Sequence, residues 1–238
     1  MNRILSLTVS GMLLCSAAAH AQQVQPYSAL HWKIIDAKDV LWQKRVWRDI
    51  DANDKQNADF RYNTANANGA NLLDILLKGC SDGSIRAYAD ERFTQELGKE
   101  ELAKITGPQT VVERSVNPVS GEIEATNASA LFAPEMIYKY RVREDWIFDR
   151  AVGKVVVRIT AIAPLQTVVT EEGKTELRPL CWIYYPAAAE SLAAARDNAG
   201  IPWLDVFEKR TFGSTIIKIT DPHSLAQHNA PTPGSETK

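Results

Sequence analysis

The sequence predicts an α+β fold: a largely antiparallel sheet with hairpins, packed with several short helices, between an N-terminal signal peptide and a disordered C-terminal tail. Three observations carry that expectation. Tyr138, Tyr140 and Val142 alternate with Lys139, Arg141 and Arg143, the period of a half-buried strand. Residues 149–153 and 171–174 are turn-rich segments, each joining two runs of strand-forming residues, as hairpin tips do. Short apolar or alanine-rich stretches bounded by glycine and proline supply the helices.

Taken in order, residues 1–21 have the form of a signal peptide. Arg3 gives a positive start, an almost uncharged apolar stretch follows, and Ala19-His20-Ala21 offers small residues at the cleavage site. Cys15 follows Leu14, where lipid attachment would need a small residue, so it is expected to leave with the signal. Residues 22–35 read as an N-terminal arm, 36–220 as a single α+β domain and 221–238 as a flexible tail.

The domain opens on a predicted helix over 37–51. At 100° per residue, Val40, Trp42, Val46, Trp47 and Ile50 share one arc, with Leu41 as the misfit. Lys44, Arg45, Arg48 and Asp51 fill the opposite side, which is either a solvated face or a face that docks a partner. Residues 53–71 read as a loop and 72–78 as a short apolar helix capped by Gly79. A turn at 81–84 leads to a strand at 85–89, then a charged helix at 99–105 stops at Gly107-Pro108. Residues 110–116 have strand character, and 118–130 read as an exposed loop in which Asn127-Ala128-Ser129 fits a glycosylation sequon. The alternating strand over 136–148 breaks parity at Glu144. A strand at 154–163 is ended by Pro164, and strands at 165–170 and 176–185 flank the second hairpin tip. Pro186 opens an alanine-rich helix to about 198; a short helix at 203–209 and a strand at 215–219 complete the fold.

The chain of 238 residues is 45% hydrophobic and 24% charged, with a net charge of -2, so no basic excess is available to neutralise nucleic-acid phosphates. After the signal, the best apolar run, 155–165, is short and interrupted by Arg158, so direct membrane insertion is not expected. No histidine lies between Trp32 and Pro222, leaving only His31, His223 and His228, in the arm and tail, for nucleophile–base catalysis. Zinc-ligand spacing and glycine-rich phosphate loops are missing, so no cofactor and no metal site is expected. Asp51, Asn53 and Asp54 begin like a calcium loop, but Lys55, Gln56 and Tyr62 stand where oxygen ligands or glycine are needed. Glu144, Asp145 and Asp149 beside Trp146 are the one candidate for a glycosidase-like acid pair. A bulge at Glu144-Asp145 and a turn role for Asp149 account for them more simply, so no catalytic residue is assigned. Cys80 and Cys181 are the two cysteines left after signal cleavage. In an oxidising compartment they are candidates for a disulfide, within one chain or between two.

Several segments together carry a family resemblance. They are Asp39-Val40-Leu41-Trp42-Gln43-Lys44-Arg45-Val46-Trp47-Arg48-Asp49-Ile50-Asp51 with Asp54-Lys55-Gln56-Asn57, and Glu144-Asp145-Trp146-Ile147-Phe148-Asp149 through Ile162-Ala163-Pro164. Leu180-Cys181-Trp182-Ile183-Tyr184-Tyr185-Pro186, Asp205-Val206-Phe207 with Lys209-Arg210, and Thr215-Ile216-Ile217-Lys218 complete the set. In this order they resemble the GldN/PorN family, over nearly all of 36–219. The resemblance implies a non-enzymatic component of the periplasmic ring of the type IX secretion and gliding machinery. Its implied partners are further copies of itself, an outer-membrane lipoprotein of the PorK/GldK kind and the periplasmic part of a PorM/GldM-like motor protein. An exported monomeric ligand-binding module and an exported carboxylate-dependent hydrolase stand as alternatives.

Overall fold

Residues 40–51 form a strand rather than the predicted helix. β1 (Val40–Asp51) follows a single 3-10 turn at Ala37–Asp39 in the computed structural model, which describes residues 29–222 apart from 31, 65–68, 108, 117–119, 122, 131 and 171. The expected signal peptide, most of the arm and the tail beyond residue 222 lie outside the described residues. The helical pattern has a physical origin in the strand's central place. Val46 and Ile50 are buried on one face and Trp47 on the other, and their spacing imitates a period of 3.6.

The remaining elements are α1 (Leu72–Asp82), β2 (Ala87–Tyr88), α2 (Lys99–Thr106), β3 (Gln109–Val116), β4 (Ile123–Ala130), β5 (Lys139–Asp149), β6 (Lys154–Val169), β7 (Thr175–Pro179), β8 (Trp182–Tyr184), α3 (Tyr185–Ala194), α4 (Trp203–Glu208) and β9 (Thr215–Thr220). The sheet runs β2-β8-β6-β5-β1-β9, with β7 also along β6, and every pairing is antiparallel. The α+β class with an antiparallel, hairpin-built sheet and short helices is therefore what the chain adopts. Gly153 and Gly173, with φ of 66° and 78°, turn the two expected hairpins. The parity break at Glu144 is a bulge, where the β5–β6 register shifts between Arg143 and Glu144.

Several boundaries differ from the sequence reading. The expected loop at 118–130 contains β4, which pairs with β3 from Gln109↔Ala130 to Val116↔Ile123 in a separate ribbon; its polar composition hides the ladder. β6 continues through Pro164, since the missing donor falls where β6 changes partner from β8 to β7 and the Pro164 carbonyl accepts the Leu180 N–H at 2.8 Å. α1 runs past Gly79 to a cap at Gly83, whose φ is 87°. Gly79 is instead a point of close approach, because a Cβ there would lie 2.4 Å from Ile85 Cδ1. α3 ends at Ala194, short of 198, where Ala195 turns extended and Arg196 bridges to Pro202.

The helices cover one face of the sheet. Ile50, Tyr140, Val142, Ile159, Ile162 and Ile183 meet Leu72, Leu73 and Leu76 of α1, Leu192 of α3, and Trp203 and Phe207 of α4. Phe60 stands at the centre, edge-on to Trp203 at 5.1 Å and to Phe207 at 5.8 Å. Asn57 is fully buried and ties the ends of β1 and β9 together. It donates to the Asp51 and Gly213 carbonyls and accepts the Gly213 N–H, which satisfies its amide without water.

Candidate interaction surface

The sheet's second face carries a small core and a ladder of charges. Trp47 and Trp182 pack in one cluster with Ala161 and Ala163 of β6. The Trp47 indole donates to Glu91 at 2.6 Å, and the Lys218 ammonium sits 4.4 Å from its ring centre. Beside it, Arg143 lies 4.8 Å from the Phe93 ring centre and donates to the Thr160 hydroxyl and the Glu91 carbonyl. Burial lowers the Arg143 pKa. Further along the strands Arg45 pairs with Asp145 at 2.9 Å, Arg141 with Asp49 at 2.7 Å, and Lys139 with Asp51 at 3.1 Å. Arg45, Arg141 and Lys139 on this face are thereby each paired with a carboxylate of the facing strand.

The loop over Trp47 depends on one carboxylate. Asp90 accepts the N–H groups of Arg92, Thr94 and Gln95 and the Thr94 hydroxyl, and so holds Phe93 at its left-handed φ of 60°. Desolvation pushes the Asp90 pKa up, but these hydrogen bonds outweigh it and the net shift is downward from 3.8. A depressed folded-state pKa means that the ionised form stabilises the fold above the unfolded value, and that this contribution is lost as pH falls through the folded value. The stability gap between the protein and Asp90→Asn, measured by urea unfolding, is therefore expected to be full at neutral pH and to close below 3.8. A gap unchanged down to about pH 2 would contradict this.

The strand separates the cations that a helix would have grouped. Alternation places Lys44 and Arg48 on the helix-bearing face and Arg45 on the other. Lys44 pairs with Asp221 at 3.1 Å. Arg48 reaches Glu144 with its Nε at 3.2 Å and donates to the Ser214 hydroxyl. Glu144 is fully buried and accepts hydrogen bonds from the Trp146 indole at 2.7 Å and from Arg210 at 3.1 Å. Arg210 holds a positive φ of 53° just beyond α4. The carboxylates of the acid-pair reading are thus not brought together: Glu144 is clamped by two arginines, Asp145 turns to Arg45, and Asp149 accepts the Ala151 N–H in the hairpin. Asp51, the first residue of the calcium-like run, is engaged by Lys139 and the Asn53 N–H. His31, His223 and His228 lie outside the described residues. Cys80 and Cys181 are both buried in the main core.

Two exposed apolar features emerge only from the topology. β9 is an edge strand paired with β1, and its outer rim meets no other strand among the described residues. Ile216, Ile217 and Ile219 are 40%, 45% and 57% exposed along it, with a bulge against β1 between Trp47 and Arg48. Proteins ordinarily blunt or cover such an edge, because its free N–H and C=O groups and apolar side chains template pairing with another chain. The second feature is a cross-strand row, Trp42 on β1, Phe148 on β5 and Val155 on β6. The Trp42 and Phe148 rings lie 6.0 Å apart, and Leu41, Trp42, Val152 and Val155 are exposed around them. Among the described residues no helix is long and apolar enough to cross a membrane.

A family model described as "Gliding motility associated protein GldN" covers residues 35–236, most of the chain. No curated protein matches it.

Proposed function

The chain belongs to the GldN family, and from that membership we propose that it is a non-enzymatic structural component of the type IX secretion and gliding machinery. In this reading the signal peptide is removed and the single domain over 36–220 assembles in the periplasm. Copies join one another in a ring with an outer-membrane lipoprotein of the PorK/GldK kind, and the ring meets the periplasmic part of a PorM/GldM-like motor protein. The lipoprotein supplies the membrane attachment.

The observation that carries the reading is the β9 edge, unpaired on its outer side among the described residues, with its three exposed isoleucines. A ring requires head-to-tail contacts, in which one surface of a subunit fits a different surface of the next. The β9 strand and the Trp42–Phe148–Val155 row are two exposed apolar features that such contacts could use. Of Lys44, Arg45 and Arg48, the proposed partner contact falls to Lys44. It shares the Trp42 side of β1 and its side chain is 44% exposed. The buried Glu144 clamp supports a structural role over a hydrolytic one, since its carboxylate faces two arginines rather than a second acid.

The test combines two substitutions at the rim. Ile217→Lys with Ile219→Lys should leave the unfolding free energy within about 0.5 kcal/mol, as exposed changes do. The same double variant should lose recovery of the chain with the outer-membrane fraction, and deletion of the lipoprotein should release the unaltered chain to the soluble fraction. Membrane retention without the lipoprotein, or full assembly of the double variant, would overturn the reading.

A further inference from the structure

Cys80 and Cys181 lie far apart in the chain, yet the fold seats them side by side. Cys80 is near the end of α1 and Cys181 immediately precedes β8. Two features bring them together. Gly79 has no Cβ to hold Ile85 away, and its carbonyl accepts the Ile85 N–H at 2.9 Å, which pins the end of α1 against the chain entering β2. β2 in turn pairs with β8 through Ala87↔Ile183 and Tyr88↔Trp182. Both cysteines therefore lie in the same buried cluster of the main core, 7% and 1% exposed, and Cys80 is near enough to Cys181 to raise its pKa.

We infer that Cys80 and Cys181 are joined as an intrachain disulfide in the exported protein. The proposal rests on the export stated under Proposed function. Burial of both residues leaves neither sulfur available to another subunit. The bond forms by exchange with a disulfide donor, either a protein oxidoreductase or a small-molecule disulfide. The thiolate of one cysteine attacks the donor, giving a mixed disulfide and releasing one donor thiolate. The second cysteine's thiolate then displaces the remaining donor sulfur. Two thiols thus give up two protons and two electrons, and the donor disulfide leaves as its reduced dithiol.

The order of events follows from the same site. The neighbouring Cys80 side chain, together with burial, holds the Cys181 thiol well above its ordinary pKa, which suppresses the thiolate once the core has closed. The bond therefore closes during folding, before α1 seals over β8.

Thiol labelling decides the matter. Protein from whole cells, acid-quenched, unfolded and treated with a maleimide–polyethylene glycol, should take up no label at Cys80 or Cys181 before reduction and label at both after it. It should run as a single chain on a non-reducing gel. Two labelled thiols before reduction, or a reductant-sensitive dimer, would overturn the proposal. A second arm separates geometry from compartment. Unfolded, reduced protein refolded in a reduced/oxidised glutathione buffer should close the bond, and faster than folded, reduced protein in the same buffer. Failure to close overturns the proposal on geometry and leaves export untouched. Closure in the tube with free thiols in cells overturns it through the export premise.

Discussion

Replacing Trp203 by alanine is expected to lower the unfolding free energy by about 3–5 kcal/mol, the range for a large aromatic removed from a packed core. Trp203 is 1% exposed and ties α4 to the segments that carry Phe60 and Ala70. Its ring meets Phe60 edge-on at 5.1 Å and lies 6.5 Å from Phe207, and its indole N–H donates to the Ala70 carbonyl at 2.9 Å. Truncation opens a cavity beneath Phe60 and leaves the Ala70 carbonyl without its donor, so the packing and polar losses act in the same direction. α4 has only six residues and cannot hold its own shape, which makes this docking the source of its stability. A loss below about 1 kcal/mol in chemical denaturation would show that the helix layer is not packed as described.

Glu144→Ala is expected to cost about 3 kcal/mol, the low end of the range for breaking a buried ion pair. The carboxylate is inaccessible, while Arg48 and Arg210 are 23% and 34% exposed and recover part of their hydration when it is lost. The Trp146 indole loses its acceptor as well. Two further outcomes distinguish a clamp from an active site. The triple variant Glu144→Leu, Arg48→Met, Arg210→Met should regain most of the lost stability, since an apolar replacement of a whole buried charge cluster removes its desolvation cost. A catalytic Glu144 would show the reverse pattern, with turnover abolished by Glu144→Gln and stability nearly unchanged. A stability loss under about 1 kcal/mol for Glu144→Ala would reject the clamp.

What the sequence discloses follows from how local each determinant is. The β5–β6 hairpin was legible because Tyr138, Tyr140 and Val142 alternate with cations and Gly153 marks the tip. α2, α4 and β9 were legible from their flanking glycine and proline and their short periodic runs. β1 was not, because a strand between two others buries residues on both faces, and Val46, Trp47 and Ile50 then match helical spacing. β4 was hidden by its threonine, asparagine and serine, and Pro164 read as a stop although the ladder needs no donor there. For the site, the parity break at Glu144 could be read from the sequence as a bulge. Its clamp by Arg48 and Arg210, and the meeting of Cys80 with Cys181, depend on contacts distant in the chain. The exposed isoleucines of β9 read as an ordinary strand until the sheet order places them at an edge. Loop 90–95 was missed for the same reason: Asp90 and Phe93 acquire their roles only above Trp47 and Arg143.

The central claim is that this chain is an assembly subunit whose β9 rim is covered by another chain. The size of the native complex in gently solubilised envelopes tests it most directly. The account predicts that the unaltered protein elutes in a complex of many subunits together with an outer-membrane lipoprotein. It predicts also that the Ile217→Lys, Ile219→Lys variant elutes as a folded single chain. An unaltered protein that elutes as a monomer under the same conditions would contradict the account.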